Sequence, residues 1–148
     1  MVEKMCRFYG KPIGELHGKI YYDFPCVENL CGSEVEKKLR EESFGYRAAF
    51  IANTANKIVE SGGRSWVETL SSMKYDEARQ ALQSLPGIGR KVADCVCLMS
   101  LGFHEAIPVD THIHQLGKKY LPHLANVKSL TEKVYSEISD YFRGLYGE

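Results

Sequence analysis

The chain has no excess of charge of either sign: nineteen Lys and Arg stand against nineteen Asp and Glu in 148 residues. That excludes a protein that holds nucleic acid by bulk positive charge. Any such binding has to be local, through helix ends and a few placed cations such as Arg47, Arg90, Lys118 and Lys119. Paired cysteines are also lacking. Cys6, Cys26, Cys31, Cys95 and Cys97 are odd in number and show no Cys-x-x-Cys spacing, so reduced thiols are expected, with no metal site. No apolar run is long enough to cross a bilayer, and Met1 to Gly10 carries Glu3, Lys4 and Arg7 where a secretory start would be apolar. No membrane partner is expected, and an intracellular protein follows. There is no internal repeat or low-complexity tract. What remains is one domain over residues 1–148, with 44% hydrophobic residues to build its core.

The patterning that is present is mostly helical. Val2 to Tyr9 reads as a short helix ended by Gly10, and Glu15 to Tyr22 as a turn-rich connector with extended character at Ile20 to Tyr22. A short helix is expected near Val27 to Leu30. Ser33 is placed to cap Glu34 to Glu42, with Glu36 in capping-box position, and Tyr46 to Ser61 forms a long helix closed by Gly62-Gly63. Ser65 to Ser72 follows. Thr111 to Tyr120 is another helix, and Ser129 to Leu145 is amphipathic with Leu130, Val134, Ile138 and Phe142 on one face. The expected fold class is all-α, a multi-helix bundle.

Residues 75–101 stand apart. Tyr75 to Ser84 puts Ala78, Leu82 and Leu85 on one apolar face, and Val92 to Leu101 carries Val92, Val96 and Met99 at helical spacing. Only Pro86 to Arg90 lie between, giving a helix-hairpin-helix. Gly87 and Gly89 tolerate positive φ and lack a Cβ, so another backbone can come close. The amides that start the second helix lack intrahelical partners and sit at the positive end of its dipole, a ready phosphate site. A packing turn between two helices explains Pro86-Gly87-Ile88-Gly89 equally well.

Lys91 falls in the first turn of that second helix. Partial burial and the helix dipole would both disfavour its ammonium form. A free lysine, with a pKa of about 10.4, is neutral roughly once in a few thousand molecules at pH 7, so any depression yields more nucleophile. Asp110 follows Pro108-Val109 and precedes a helix, as an N-cap does. Beside Lys91 the same carboxylate could also stabilise positive charge developing on a sugar.

The run Leu85-Pro86-Gly87-Ile88-Gly89-Arg90-Lys91-Val92-Ala93-Asp94-Cys95-Val96-Cys97-Leu98-Met99, followed by Ile107-Pro108-Val109-Asp110-Thr111-His112, resembles the helix-hairpin-helix/Gly-Pro-Asp signature of the eukaryotic 8-oxoguanine DNA glycosylase/AP lyases. The resemblance extends upstream through Tyr22-Asp23-Phe24-Pro25 and Gly45-Tyr46-Arg47-Ala48, and so covers nearly the whole chain.

The resemblance implies a helix-hairpin-helix glycosylase core that excises oxidised purine opposite cytosine and then nicks the strand. It implies damaged double-stranded DNA as partner, no cofactor, and a nuclear setting, with the mitochondrion as a second one. Lys91 matches the Schiff-base nucleophile and Asp110 its partner carboxylate. Gly87, Gly89 and Val92 match the hairpin that grips the DNA backbone, and His112 a phosphate-contacting histidine. Tyr46 and Arg47 match the pair that invades the duplex and reads the cytosine. Cys95, and less directly Met99, match the wall of the base pocket; both could instead be core. No iron–sulfur cluster is implied, because the four-cysteine loop of the endonuclease III branch has no counterpart here.

The chain departs from the family pattern at both ends. The upstream sheet-containing domain and a downstream helix have no match, so it reads as a fragment, with further cytosine-reading and pocket-closing residues missing. Two other functions fit the same residues: a non-catalytic or impaired hairpin module that binds DNA through backbone contacts, and a helical protein whose glycines serve packing alone.

Overall fold

In the computed structural model, which describes residues 1–146, the chain opens with helix α1, Val2–Tyr9. It stops at Gly10, where an added Cβ would lie 2.1 Å from the Asp23 carbonyl oxygen. The Asp23 carboxylate accepts the Lys11 N–H, and the Asp23 N–H donates to the Lys11 carbonyl at 2.9 Å. This clasp closes the base of an antiparallel hairpin, β1 Pro12–Leu16 and β2 Lys19–Tyr22. The two turn residues, His17 and Gly18, both have positive φ, 51° and 74°, the hand that suits the twist of paired strands. The segment read as a connector is therefore a sheet, and the expected all-α fold is mostly helical with one two-stranded sheet among the described residues.

A 3-10 turn at Val27–Leu30 leads to α2 Ser33–Glu41, α3 Arg47–Glu60 and α4 Arg64–Leu70. Ser33 is the first helical residue and not the cap. Gly32 takes that place at φ 99°, a conformation that favours glycine, and its N–H donates to the Asn56 side chain at 3.1 Å. Met5, Leu30, Val35, Leu39, Phe44, Ala48 and Ala55 form the apolar cluster of this part.

The remaining helices are α5 Tyr75–Gln83, α6 Arg90–Ser100, α7 Thr111–Tyr120 and α8 Glu132–Tyr146, with a 3-10 turn at Pro122–Leu124. Ala78, Leu82 and Leu85 are buried as their spacing implies. α8 begins three residues later than expected. The Thr131 hydroxyl accepts the Val134 N–H at 3.4 Å, so Leu130 lies ahead of the helix and exposed, while Val134, Ile138 and Phe142 join Val109, Leu124 and Tyr135 in a second apolar cluster. α7 packs closely on α8 at Gly117, where a Cβ would meet the Ile138 side chain at 2.8 Å.

The fold divides into two units. One comprises Met1–Thr69 with Leu85–Gly87; the other comprises Leu70–Ser84 and the chain from Ile88 onward. All five cysteines are free thiols, and burial beside Asp94 pushes Cys97 up to about 11.

Candidate active site

The two glycines of the hairpin do different work. Gly87 lies at φ 77°, and a Cβ there would come within 2.5 Å of the Phe50 ring, so conformation and space both require glycine. The Thr54 hydroxyl donates to the Pro86 carbonyl at 2.8 Å, which ties this half of the turn to α3. Gly89 is extended, φ −83° and ψ 173°, with nothing within 4 Å of an added Cβ. Positive φ is thus confined to Gly87. Gly89 is the N-cap of α6, and no side chain satisfies the amides that follow it.

α6 starts at Arg90, two residues before Val92, and its buried face is Ala93, Asp94 and Cys97. The expected face of Val92, Val96 and Met99 does not point inward: Val92 is 43% exposed and Met99 74%. Met99 is therefore not core. Lys91, Cys95 and Met99, spaced i, i+4 and i+8, share the side of the helix opposite Ala93 and Cys97, with Lys91 exposed and Cys95 half-buried. The partial burial expected at Lys91 is absent, because the inward turn of Ala93 and Asp94 rotates it toward solvent.

Arg90 is turned inward and is not a free surface cation. Its guanidinium donates to Glu132 Oε2 and Ser136 Oγ, both at 2.7 Å, and lies 4.3 Å above the Tyr135 ring.

Asp110 caps α7 as expected. One carboxylate oxygen, Oδ1, accepts the His112 and Ile113 N–H groups at 2.9 Å each. The Ile113 N–H is the main cause of a carboxyl held below its usual range; the His112 N–H and the charges of His112 and Lys91 add to it. The ammonium of Lys91 is thus close enough to be felt at Asp110, and the carboxylate is kept ionised. His112 is exposed at the first turn of α7.

Tyr46 and Arg47 stand at the start of α3. Tyr46 is 64% exposed and does not pack on the core; its ring meets Phe50 edge-on at 6.0 Å, and the Arg47 guanidinium lies 4.7 Å over it. Phe50, which supports both Tyr46 and the Gly87 turn, is not among the expected site residues; a lone aromatic between Ala49 and Ile51 gives little signal. Asp94 is a second residue outside the expected set. It is fully buried, and the hydroxyls of Tyr75 and Tyr135 both donate to it at 2.7 Å. Bonds of this kind to a charged group contribute about 1.5–3 kcal/mol each. A carboxylate inside the apolar run Val92 to Leu98 was the available sign.

Geometry and sequence now point the same way. No protein-family model matches the chain. It is 40% identical over 142 residues to N-glycosylase/DNA lyase OGG1 of Arabidopsis thaliana and 37% identical over 140 residues to N-glycosylase/DNA lyase of Saccharomyces cerevisiae. Those alignments cover 94% and 89% of this chain. Over nearly its whole length the chain is similar in sequence to N-glycosylase/DNA lyases. It spans 38% and 37% of the length of these two relatives. Its fold superposes with a TM-score of 0.76, at 31% identity, on the 8-oxoguanine glycosylase/lyase of Clostridium acetobutylicum solved with double-stranded DNA containing cytosine opposite 8-oxoG. That match takes in 99% of this chain and 47% of the other. Lys91 is an exposed lysine at an uncapped helix start, and its charge is felt at the Asp110 carboxylate.

Proposed function

We propose that residues 1–148 act as the core of a bifunctional DNA glycosylase/AP lyase that removes 8-oxoguanine opposite cytosine through a lysine Schiff base. The observation that carries this is Lys91 at the open start of α6, within electrostatic reach of Asp110. Double-stranded DNA as the partner is supported by the complex of the Clostridium structure. The eukaryotic source of the plant and yeast relatives fits a nuclear setting, and the mitochondrion as a second one rests on the family resemblance.

A base stacked in a duplex is out of reach, so the lesion is rotated out at a cost of a few kcal/mol, offset by contacts to the distorted DNA. Tyr46 is the exposed aromatic suited to fill the vacated stack, and Arg47 beside it suits the orphaned cytosine. The free amides after Gly89 receive a phosphate, and Gly87, Val92 and His112 are each assigned to contact with the DNA backbone. Cys95 and Met99 offer a polarisable wall for the purine. As the glycosidic bond breaks, its electron pair leaves with the base, and the positive charge left at C1′ is stabilised by Asp110. The Lys91 amine adds to C1′ through its lone pair, a proton passes from the nitrogen to the ring oxygen as the C1′–O4′ bond breaks and its electron pair leaves with that oxygen, and an iminium forms. Loss of a C2′ proton then expels the 3′ phosphate, nicking the strand.

Borohydride reduction on abasic duplex tests this directly. The chain is expected to become covalently attached through Lys91, and Lys91→Gln to lose the adduct while retaining duplex affinity within about twofold. A lysine that only contacts phosphate would instead lose affinity and about one unit of salt slope, with no adduct in either protein. Attachment through another side chain would defeat the proposal.

A further inference from the structure

One buried network is unused by this chemistry. Asp94, on α6 three residues after Lys91, and Val109, immediately before Asp110, are both fully buried. The Tyr135 hydroxyl on α8 joins them: it accepts the Val109 N–H at 2.9 Å and donates to Asp94 Oδ2 at 2.7 Å. Tyr75, on α5, donates to the other Asp94 oxygen at 2.7 Å. An unbroken line of hydrogen bonds therefore runs from α5 through α6 and α8 to the backbone beside Asp110.

Burial, reinforced by the Asp94 carboxylate, pushes Tyr75 up to about 12 and raises Tyr135 likewise, so both hydroxyls remain donors. On the neighbouring turn Arg90 fastens the start of α6 to α8 through Glu132 and Ser136, with its guanidinium over the Tyr135 ring. Sliding or rotating α6 would strand a buried carboxylate and a buried amide. Apolar packing could hold the same helices as strongly. A directional network adds a fixed register, and here the register is between the two segments that carry Lys91 and Asp110.

We propose that Tyr135 and Asp94, assisted by Tyr75, are positioning residues that set the Lys91 amine against the Asp110 carboxylate. This rests on Lys91 and Asp110 being the reacting pair. The geometry explains why a polar cluster occupies the interior of α6 when neither DNA nor sugar can reach it.

The test is single-turnover borohydride trapping on abasic duplex at saturating protein, with duplex affinity and the final adduct yield measured alongside. Tyr135→Phe removes one oxygen, frees Val109 and leaves Asp94 with a single partner. It is expected to slow adduct formation about ten- to hundredfold, the scale of a misplacement near 1 Å, with affinity within about twofold and full final yield. Tyr75→Phe leaves Val109 satisfied and should slow it only a few-fold. Trapping by folded Tyr135→Phe at the unsubstituted rate overturns the proposal. So does a parallel fall of rate, affinity and yield, which is what simple loss of folded protein produces. If Tyr135→Phe does not fold, Tyr75→Phe decides: a slower rate at unchanged affinity supports positioning, and an unchanged rate refutes it. Absence of any adduct with the unsubstituted chain refutes the Lys91 chemistry first, and the positioning role falls with it.

Discussion

Helices α6 and α7 begin at residues of opposite kind. Gly89 has no side chain to offer the amides after it, whereas Asp110 gives one carboxylate oxygen to two of them. A helix start leaves four N–H groups without intrahelical partners, and a protein can satisfy them itself or leave them for a ligand. α7 satisfies two of its own. α6 keeps the positive end of its dipole open in the very turn that carries Lys91, an arrangement that suits a phosphate. The cap of α7 also does a second thing. By accepting two amides it holds Asp110 ionised and in one place, so the residue that caps the helix is also the one proposed to stabilise the sugar cation.

The sharpest way to break that pairing of roles is to separate charge from capping. Asn caps a helix about as well as Asp does but carries no charge. Asp110→Asn is expected to leave the melting temperature nearly unchanged and to slow base excision at least a hundredfold, the scale seen when one preorganised electrostatic group is removed. Asp110→Ala should lose excision to a similar degree and also lower the melting temperature by a few degrees. Thermal melts and single-turnover excision on an 8-oxoguanine duplex report the two effects independently. If Asp110→Asn excises at the unsubstituted rate, Asp110 is a cap only.

These two helix starts also show how far the sequence could be read. Asp110 was legible because a cap is a local device: a carboxylate, then three amides, all within four residues. The extent of α7, Thr111–Tyr120, followed from the same signal. Gly87 and Gly89 were both legible as turn glycines, yet which of them takes positive φ was not, and the Phe50 ring that leaves no room for a Cβ at Gly87 lies far off in the sequence. The rotation of α6 was misjudged for a related reason. Val92, Val96 and Met99 made an apolar stripe, but the helix turns Asp94 inward because Tyr75 and Tyr135 wait for it, and no local pattern announces partners so far along the chain. The hairpin at Pro12–Tyr22 is the opposite case. His17-Gly18 between apolar alternations is a local strand-turn signal, and it was available.

A smaller change sharpens the comparison from the other side, by making α6 start the way α7 does. Gly89 is extended and has open space around its Cα, so Gly89→Asp can be accommodated without strain. The new carboxylate would cap the amides that follow it and gain a few tenths of a kcal/mol of stability. It would also occupy the phosphate site with a like charge. The expected outcome is a slightly higher melting temperature together with about a tenfold loss of duplex affinity, the equivalent of about 1.4 kcal/mol. Opposite signs in the two measurements are the point. Stability and affinity rising together would mean that the open start of α6 is not where DNA docks.

The gentlest probe is acid. The Asp110 carboxyl is held below the usual aspartate range in the folded chain, chiefly by the Ile113 N–H, so the cap contributes stability that is present above the ordinary aspartate pKa. It is lost as pH falls through the lowered value, when the protonated oxygen becomes a poor acceptor. α6 has no carboxylate at its cap, and its open amides do not titrate. Lowering the pH should therefore loosen the first turn of α7 while leaving that of α6 in place until the protein as a whole unfolds. Amide resonances of Ile113 and Lys91, followed by NMR through the acid range, separate the two: the first is expected to titrate below the usual aspartate midpoint and the second to stay still. If both amides moved together at the ordinary midpoint, Asp110 would not be the acceptor that distinguishes α7 from α6, and its ionised state beside Lys91 would lose its structural cause.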